Sequence, residues 1–146
     1  FTVIYGTFVA LKQTNIKRLL AYSSISHAGY MLMGIVVFSH YGVEAIMFYV
    51  LAYFFMSLGA FSIVILVVNN WNTEMIEDYK GFAWHNRKTF LLAVLFSIFL
   101  FSLTGIPPLM GFIAKWYVLV GLINKKIYWL AIVLILNSVV SFYYYA

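Results

Sequence analysis

The chain has 146 residues, of which 65% are hydrophobic and 9% charged, and because soluble domains are typically about 25% charged, this composition predicts a membrane protein. It contains no cysteine, which excludes a disulfide or an iron–sulfur cluster held by its own thiolates. The net charge of +5 comes from basic residues spread over the loops between apolar runs, which argues for membrane topology and against nucleic-acid binding.

Five apolar segments follow one another, and each can be compared with the ~20 residues that a helix needs to cross a bilayer. They cover residues 1 to about 11, about 19 to 38, about 43 to 68, 89 to about 123, and about 127 onward past 146. The predicted fold class is therefore all-α, a polytopic transmembrane bundle of about five helices. Both ends fall inside apolar runs, so residues 1–146 are expected to form a single transmembrane domain cut from a longer subunit.

The fourth segment is too long for one straight span. Its 35 residues would form a helix of ~50 Å, whereas the hydrocarbon core is ~30 Å thick. Gly105, Pro107 and Pro108 lie in its middle, and proline removes a backbone donor and clashes with the preceding turn. The segment is predicted to be a discontinuous helix, with two half-helices joined by a short irregular stretch.

Basic residues concentrate in two of the loops. The first and third loops hold six of them, Lys12, Lys17, Arg18, Lys80, Arg87 and Lys88, whereas the fourth loop holds two, Lys125 and Lys126. With five spans the first and third loops share one side, called here the basic face. The positive-inside rule assigns that face to the cytoplasm, the mitochondrial matrix or the plastid stroma.

Lys115 is the only charge between residues 89 and 123. A cation inside hydrocarbon costs at least ~2.5–3.5 kcal/mol, so such residues usually line a water-filled path. The alternative is that the side chain snorkels to the interface. The expected boundary is ~12–15 Å farther along the helix, more than a lysine stem readily spans, so the buried position is favoured.

Ser23, His27 and Tyr30 fall at helical spacing and share one face of the second segment. His27 lies ~15 Å deeper than Lys17, near the midplane, where an imidazole can relay a proton or can simply hold neighbouring helices together. Both interpretations stay open. Lys17 flanks a membrane helix, and its position alone favours a topological role.

Two further groups of residues are interpreted as structural. In the third segment Tyr49, Tyr53, Ser57 and Ala60 have roughly helical spacing and are interpreted as a packing face. Glu44 is interpreted as an interfacial carboxylate on the side opposite the basic face.

Two motifs make the sequence recognisable. Residues 11–30 (LKQTNIKRLLAYSSISHAGY) and 105–117 (GIPPLMGFIAKWY) resemble the antiporter-like membrane subunits of respiratory complex I, most closely the N type, which corresponds to subunit 2 in mitochondria. The resemblance covers essentially the whole chain. It implies the ninth to thirteenth of about fourteen helices, and a fold of two inverted five-helix bundles of which this chain holds most of the second.

The resemblance implies a role for three residues. Lys115 matches the lysine of the second broken helix, expected to face the outer half-channel, and Lys17 and His27 match a polar axis that connects half-channels. The implied function is proton translocation as a subunit of NADH:quinone oxidoreductase, a translocase with no redox centre in this chain. NADH, FMN and iron–sulfur clusters would belong to other subunits, and quinone to a distant site.

The resemblance also implies partners and a location for the protein, and it leaves two alternative functions open. The expected partners are other complex I membrane subunits, the lipid bilayer and protons. The expected location is a bacterial inner membrane, with the mitochondrial inner membrane or the thylakoid as alternatives. The first bundle, with the family's glutamate–lysine pair, is not in this sequence. A Mrp-type sodium/proton antiporter subunit is the nearest rival, and a structural scaffold in which Lys115 only packs is the other.

Overall fold

The computed structural model describes residues 1–37 and 40–145, and within these ranges it contains six α-helices and two short 3₁₀ turns. The helices are α1 (Thr2–Leu11), α2 (Ile16–Val37), α3 (His40–Trp71), α4 (Arg87–Thr104), α5 (Met110–Asn124) and α6 (Tyr128–Tyr145). The 3₁₀ turns, Ile76–Tyr79 and Phe82–Trp84, lie between α3 and α4. Phe38, the predicted end of the second segment, and the C-terminal Ala146 lie outside the described residues.

Side-chain caps explain why α2 and α4 begin earlier than the apolar pattern predicts. The Asn15 side-chain oxygen accepts hydrogen bonds from the backbone N–H groups of Lys17 (2.9 Å) and Arg18 (3.1 Å), so α2 begins at Ile16 and not near residue 19. Asn86 forms a capping box with Thr89, so α4 begins two residues before that threonine. Such caps satisfy the backbone donors that the first turn leaves free.

The predicted break in the fourth segment is confirmed. α4 ends at Thr104, and Gly105 adopts a left-handed backbone conformation with φ of 90°. Glycine reaches this conformation without the steric cost that a Cβ imposes. The Gly105 N–H donates to the carbonyls of Phe101 (3.1 Å) and Ser102 (3.0 Å), which closes the last turn, and α5 starts only at Met110.

The helices pack as a bundle around small and aromatic side chains. α1 lies against α2, α3 packs against α2, α4 and α5, and α6 packs against α1, α4 and α5. Ala60 and Ala114 are fully buried, which lets the helix backbones approach closely. α2, α3, α4 and α6 are long and apolar enough to cross a membrane, whereas α1 and α5 are shorter apolar helices. The prediction of an all-α transmembrane bundle with one discontinuous helix is confirmed.

The two basic loops meet on one side of the bundle. Asn15 and Met75 form an isolated antiparallel bridge. The Ile16 N–H donates to the Glu74 carbonyl and the Ile76 N–H donates to the Thr14 carbonyl, each at 2.9 Å. The α1–α2 and α3–α4 connections are therefore joined by main-chain hydrogen bonds, as expected for loops that share the basic face.

Candidate proton-transfer site

Lys115 is buried inside the bundle, with 5% of its surface exposed. It lies in the second turn of α5, and its Nζ donates a hydrogen bond of 2.7 Å to the carbonyl oxygen of Thr104. That carbonyl belongs to the last turn of α4, where the helix leaves carbonyls without an intrahelical partner and where the helix dipole is negative. The side chain turns back toward the break, so the interpretation as a buried residue is confirmed and snorkelling to the interface is not observed.

Tyr30 contacts both Lys115 and His27. The Lys115 Nζ lies 4.9 Å from the centroid of the Tyr30 ring, within the range of a cation–π contact. The Tyr30 ring also packs edge-on against the imidazole of His27, with centroids 6.0 Å apart. A side chain of α2 thus connects the lysine of α5 to the histidine one turn earlier on α2.

His27 is enclosed by tyrosines. Its Nδ1 lies 3.0 Å from the hydroxyl oxygen of Tyr49, and its ring stacks on that of Tyr53 at a centroid distance of 4.9 Å. Either atom of the His27–Tyr49 pair can donate, depending on the imidazole tautomer. Ser23, His27 and Tyr30 are all at least 98% buried, which confirms that they share an inward face of α2.

Sequence reasoning undervalued the two tyrosines of α3. It treated Tyr49, Tyr53, Ser57 and Ala60 together as a packing face, and Ala60 does lie in the apolar core. Tyr49 and Tyr53 in addition contact the imidazole, while the Ser57 hydroxyl donates to the Phe54 carbonyl of its own helix. The signal available in the sequence was a pair of hydroxyl-bearing side chains four residues apart on an otherwise apolar helix.

Lys17 lies apart from this cluster, in the first turn of α2. Its Nζ is 2.6 Å from Glu74 Oε1, and Asn15 Nδ2 donates to Glu74 Oε2 at 2.8 Å. The hydrogen bond from Lys17, followed by that from Asn15, lowers the pKa of the Glu74 carboxyl below its ordinary value. The helical rise places Lys17 ~15 Å from His27, so the structure does not bring it to Lys115, and its proton-pathway role stays a prediction.

One cavity borders the cluster, and a larger one lies elsewhere in the bundle. One of about 180 Å³ borders Lys115 itself, between the broken helix and α6, and is lined among others by Gly105, Trp116 and Ser138. The other, of about 450 Å³, lies between the start of α3 and the end of α5, on the side away from the basic face. Glu44 lines it, which agrees with the predicted boundary position of this carboxylate.

The arrangement suits proton transfer more than bond-making chemistry. Lysine, imidazole and phenol groups can each hold and release a proton, and here they are in contact across three helices, α2, α3 and α5. Buried ionisable groups in membrane helices commonly mark ion or proton pathways. These contacts bring Lys115, Tyr30, His27 and Tyr49 together in the interior of the bundle, and of the three contacts the one between His27 and Tyr49 is a hydrogen bond.

Comparison with known protein families identifies the class of protein to which this chain belongs. Residues 1–141 match the family described as "NADH:quinone oxidoreductase/Mrp antiporter, TM", and the chain belongs to this family of membrane proteins. Together with its apolar helices this makes it a multi-pass protein of the bacterial inner membrane.

Comparison with individual proteins identifies a more specific group of relatives within this family. The chain is 49% identical over 144 residues to NADH-quinone oxidoreductase subunit N of Moorella thermoacetica and 47% identical over 146 residues to that of Chlorobium chlorochromatii. It is 50% identical over 145 residues to subunit N 2 of Rhizobium meliloti. Each comparison covers 99% of this chain, which spans 28–30% of the length of these relatives. The resemblance to the N type is confirmed.

Proposed function

We propose that this chain is part of a proton-translocating subunit of NADH:quinone oxidoreductase, in which electron transfer elsewhere in the complex drives proton movement through the site around Lys115. The observation that carries the proposal is the buried lysine whose ammonium donates to a carbonyl freed by a helix break. Relatives that match almost the whole chain are named subunit N of this oxidoreductase.

The helix break supplies what a buried ammonium requires. Removal from water costs a charged group several kcal/mol unless dipoles replace its hydration. The Thr104 carbonyl and the negative end of α4 are such dipoles, and the face of Tyr30 adds a weaker attraction. The site is thereby able to hold a proton on Lys115 in one state and release it in another.

Coupling requires two states that differ in their affinity for the proton. In the proposed mechanism a change of charge in a neighbouring subunit alters the protonation of the lysines along the membrane axis. Lys115 then exchanges its proton with the outer face, and the cluster around His27 reloads it from within. Other membrane subunits of the complex are the proposed partners, and NADH, flavin, iron–sulfur clusters and quinone are assigned to other parts of the complex.

Replacing Lys115 by methionine tests this function. Lys115→Met keeps the length of the side chain and removes the proton carrier, and Lys125→Met, at an exposed lysine just after α5, is the matched control. In inside-out vesicles with assembly checked on native gels, we expect NADH-driven proton uptake to fall at least ~tenfold in Lys115→Met, with lowered quinone reduction, and to stay normal in the control.

Two results would point elsewhere. An ordinary proton-to-electron ratio in assembled Lys115→Met complex would make the lysine a packing residue and the chain a scaffold. The family also includes Mrp antiporters, so the same vesicles should be assayed for sodium-dependent proton exchange without NADH. Sodium-dependent exchange that is abolished by Lys115→Met would show that the chain belongs to a sodium/proton antiporter and not to the proposed oxidoreductase.

A further inference from the structure

A groove at the basic face separates the last turns of α3 from the first turns of α4. Its volume is about 260 Å³. Both helices reach the basic face at this point, since α3 ends at Trp71 and α4 begins at Arg87. Neither Lys115 nor His27 lines the groove, so it is separate from the candidate proton-transfer site.

The walls of the groove are largely apolar. Val67 of α3 and Phe82 of the second 3₁₀ turn line it and are buried, and the Trp71 ring packs edge-on against that of Phe82, with centroids 5.3 Å apart. Tryptophan is enriched at the membrane–water boundary, which places the groove at the depth of lipid headgroups. Toward the membrane interior the apolar surface continues over exposed side chains of α4, namely Leu91, Val94, Leu95 and Ile98.

Two polar side chains at the groove have donors to offer. Lys88 lines it, and within residues 1–37 and 40–145 its ammonium forms no ion pair or hydrogen bond. The Asn86 side-chain oxygen accepts the N–H groups of Arg87 and Thr89 in the capping box, so its Nδ2 is the group left to donate to a ligand. One cation and one amide donor suit an anion with several acceptor oxygens, such as a phosphate.

The charge around the groove favours a lipid with a net negative headgroup. Residues 80–89 carry three basic side chains and no acidic one, and Glu74, in the same loop, is already paired with Lys17. These cations attract a phosphate but repel the ammonium of a zwitterionic headgroup. Basic pockets between membrane helices on the cytoplasmic side are typical sites for anionic lipids.

The size of the groove favours a lipid over a protein helix. One turn of an α-helix with its side chains is ~10–12 Å across and ~5.4 Å long and fills ~500 Å³. The groove has about half that volume. An acyl chain is narrower than a helix, so it can enter the groove and continue along the exposed side chains of α4.

We propose that this groove binds an anionic phospholipid from the leaflet at the basic face. The phosphate lies at Lys88 and Asn86, and one acyl chain lies between α3 and α4 against Val67 and Phe82. The proposal does not rest on proton translocation, and lipid binding can be measured without it.

Photolabelling of the assembled complex tests this site. The complex is placed in phosphatidylcholine nanodiscs that contain a trace of phosphatidylglycerol or of phosphatidylcholine, each with the same diazirine-bearing acyl chain, and labelled peptides are identified by mass spectrometry. We expect residues 66–71 and 82–92 to be labelled at least ~fivefold more by the phosphatidylglycerol probe. Lys88→Gln should remove this preference, whereas Lys125→Gln, at an exposed lysine in the loop on the opposite face, should keep it.

A second pair of variants tests the apolar part of the groove. Leu92→Trp fills the groove and keeps its charges, whereas Leu91→Trp places the same ring on the neighbouring exposed position, which does not line the groove. Leu92→Trp should lower labelling of residues 66–71 by phosphatidylglycerol at least ~threefold relative to Leu91→Trp. This comparison also decides the question if Lys88→Gln fails to assemble.

Three results would overturn the inference. Equal labelling by the two probes would make the groove an apolar surface without selectivity. No labelling by either probe, with these peptides crosslinked instead to another subunit, would show that protein covers it. A preference for phosphatidylglycerol that persists in Lys88→Gln, or labelling that is the same in both tryptophan variants, would place the lipid elsewhere. None of these results bears on proton uptake in Lys115→Met, so the proposed function is tested separately.

Discussion

At the scale of single residues, the position of Lys115 depends on a backbone atom more than on any side chain. The Thr104 carbonyl accepts its hydrogen bond, and Tyr30 offers only the face of a ring. No carboxylate pairs with the ammonium among the residues that the structure describes. A carbonyl cannot take up the proton, so release of the proton from Lys115 requires water or a hydroxyl as acceptor.

His27 should matter less than Lys115, because hydroxyl groups surround it. In His27→Ala the loss of the imidazole leaves a space beside the rings of Tyr49 and Tyr53, and water in that space can replace the missing polar group. We expect NADH-driven proton uptake by assembled complex to fall less than ~tenfold, against the larger loss for Lys115→Met. His85→Ala, in the exposed α3–α4 loop, is the control. A loss in His27→Ala equal to that in Lys115→Met would make the imidazole obligatory.

At the scale of elements, the geometry of the broken helix depends on two glycines. A Cβ on Gly111 would collide with the backbone carbonyl of Ser102, so α5 can approach the end of α4 only where position 111 has no side chain. At Gly105 a Cβ atom is disfavoured for two separate reasons, the left-handed backbone conformation and the nearby side chain of Lys115. The geometry of the lysine is therefore tied to residues that carry no functional group.

Gly105→Ala should impair proton transport through Lys115. The positive φ costs a non-glycine residue about 1–2 kcal/mol, and a Cβ there would lie 3.1 Å from Lys115 Cδ and push the stem away from Thr104. Gly81→Ala is a matched control, because Gly81 has φ of 82° and no atom within 4 Å of the added carbon. We expect a several-fold loss of proton uptake for Gly105→Ala beyond that of Gly81→Ala. Equal effects would show that backbone strain alone matters.

The Lys17–Glu74 pair joins α2 to the loop before α4, and its pH dependence follows from the carboxyl group. The pKa of Glu74 is lowered in the folded protein, so the stabilisation is present at neutral pH and is lost as the pH falls through that lowered value. Both side chains are about 40% exposed, so solvent screens the pair and its effect is small.

Hydrogen exchange at the Asn15–Met75 bridge should report this dependence. In solubilised complex we expect protection of the Ile16 and Ile76 amides to drop at most ~fivefold in Glu74→Gln at neutral pH. The difference from the unmodified protein should stay constant around neutral pH and vanish only once the pH has fallen through the lowered pKa of Glu74. Glu77→Gln, at an exposed carboxylate in the same loop, should change nothing. A difference that persists at low pH would assign the effect to Asn15 and not to the ion pair.

At the scale of the whole molecule, periodicity and breakers predicted the helices well because those signals are local. The break at Gly105, the two half-helices and the inward face of Ser23, His27 and Tyr30 all follow from residues close together in the chain. Contacts between different helices could not be predicted from such local signals. Lys17 and Glu74 are 57 residues apart, and Tyr49 meets His27 only because α3 packs on α2. The Thr104 carbonyl gives no signal in residue type, since any residue ending α4 would supply it.

The orientation of the bundle can be tested independently of proton transport. The bridge between Asn15 and Met75 places both basic loops on one side, and the charge bias predicts that this side is cytoplasmic. The chain has no native cysteine, so Lys80→Cys on the basic face and Lys125→Cys on the opposite face introduce unique thiols into it. A membrane-impermeant maleimide should label Lys80→Cys only in inside-out vesicles and Lys125→Cys only in right-side-out vesicles. The reverse pattern would invert the bundle and place the basic face outside.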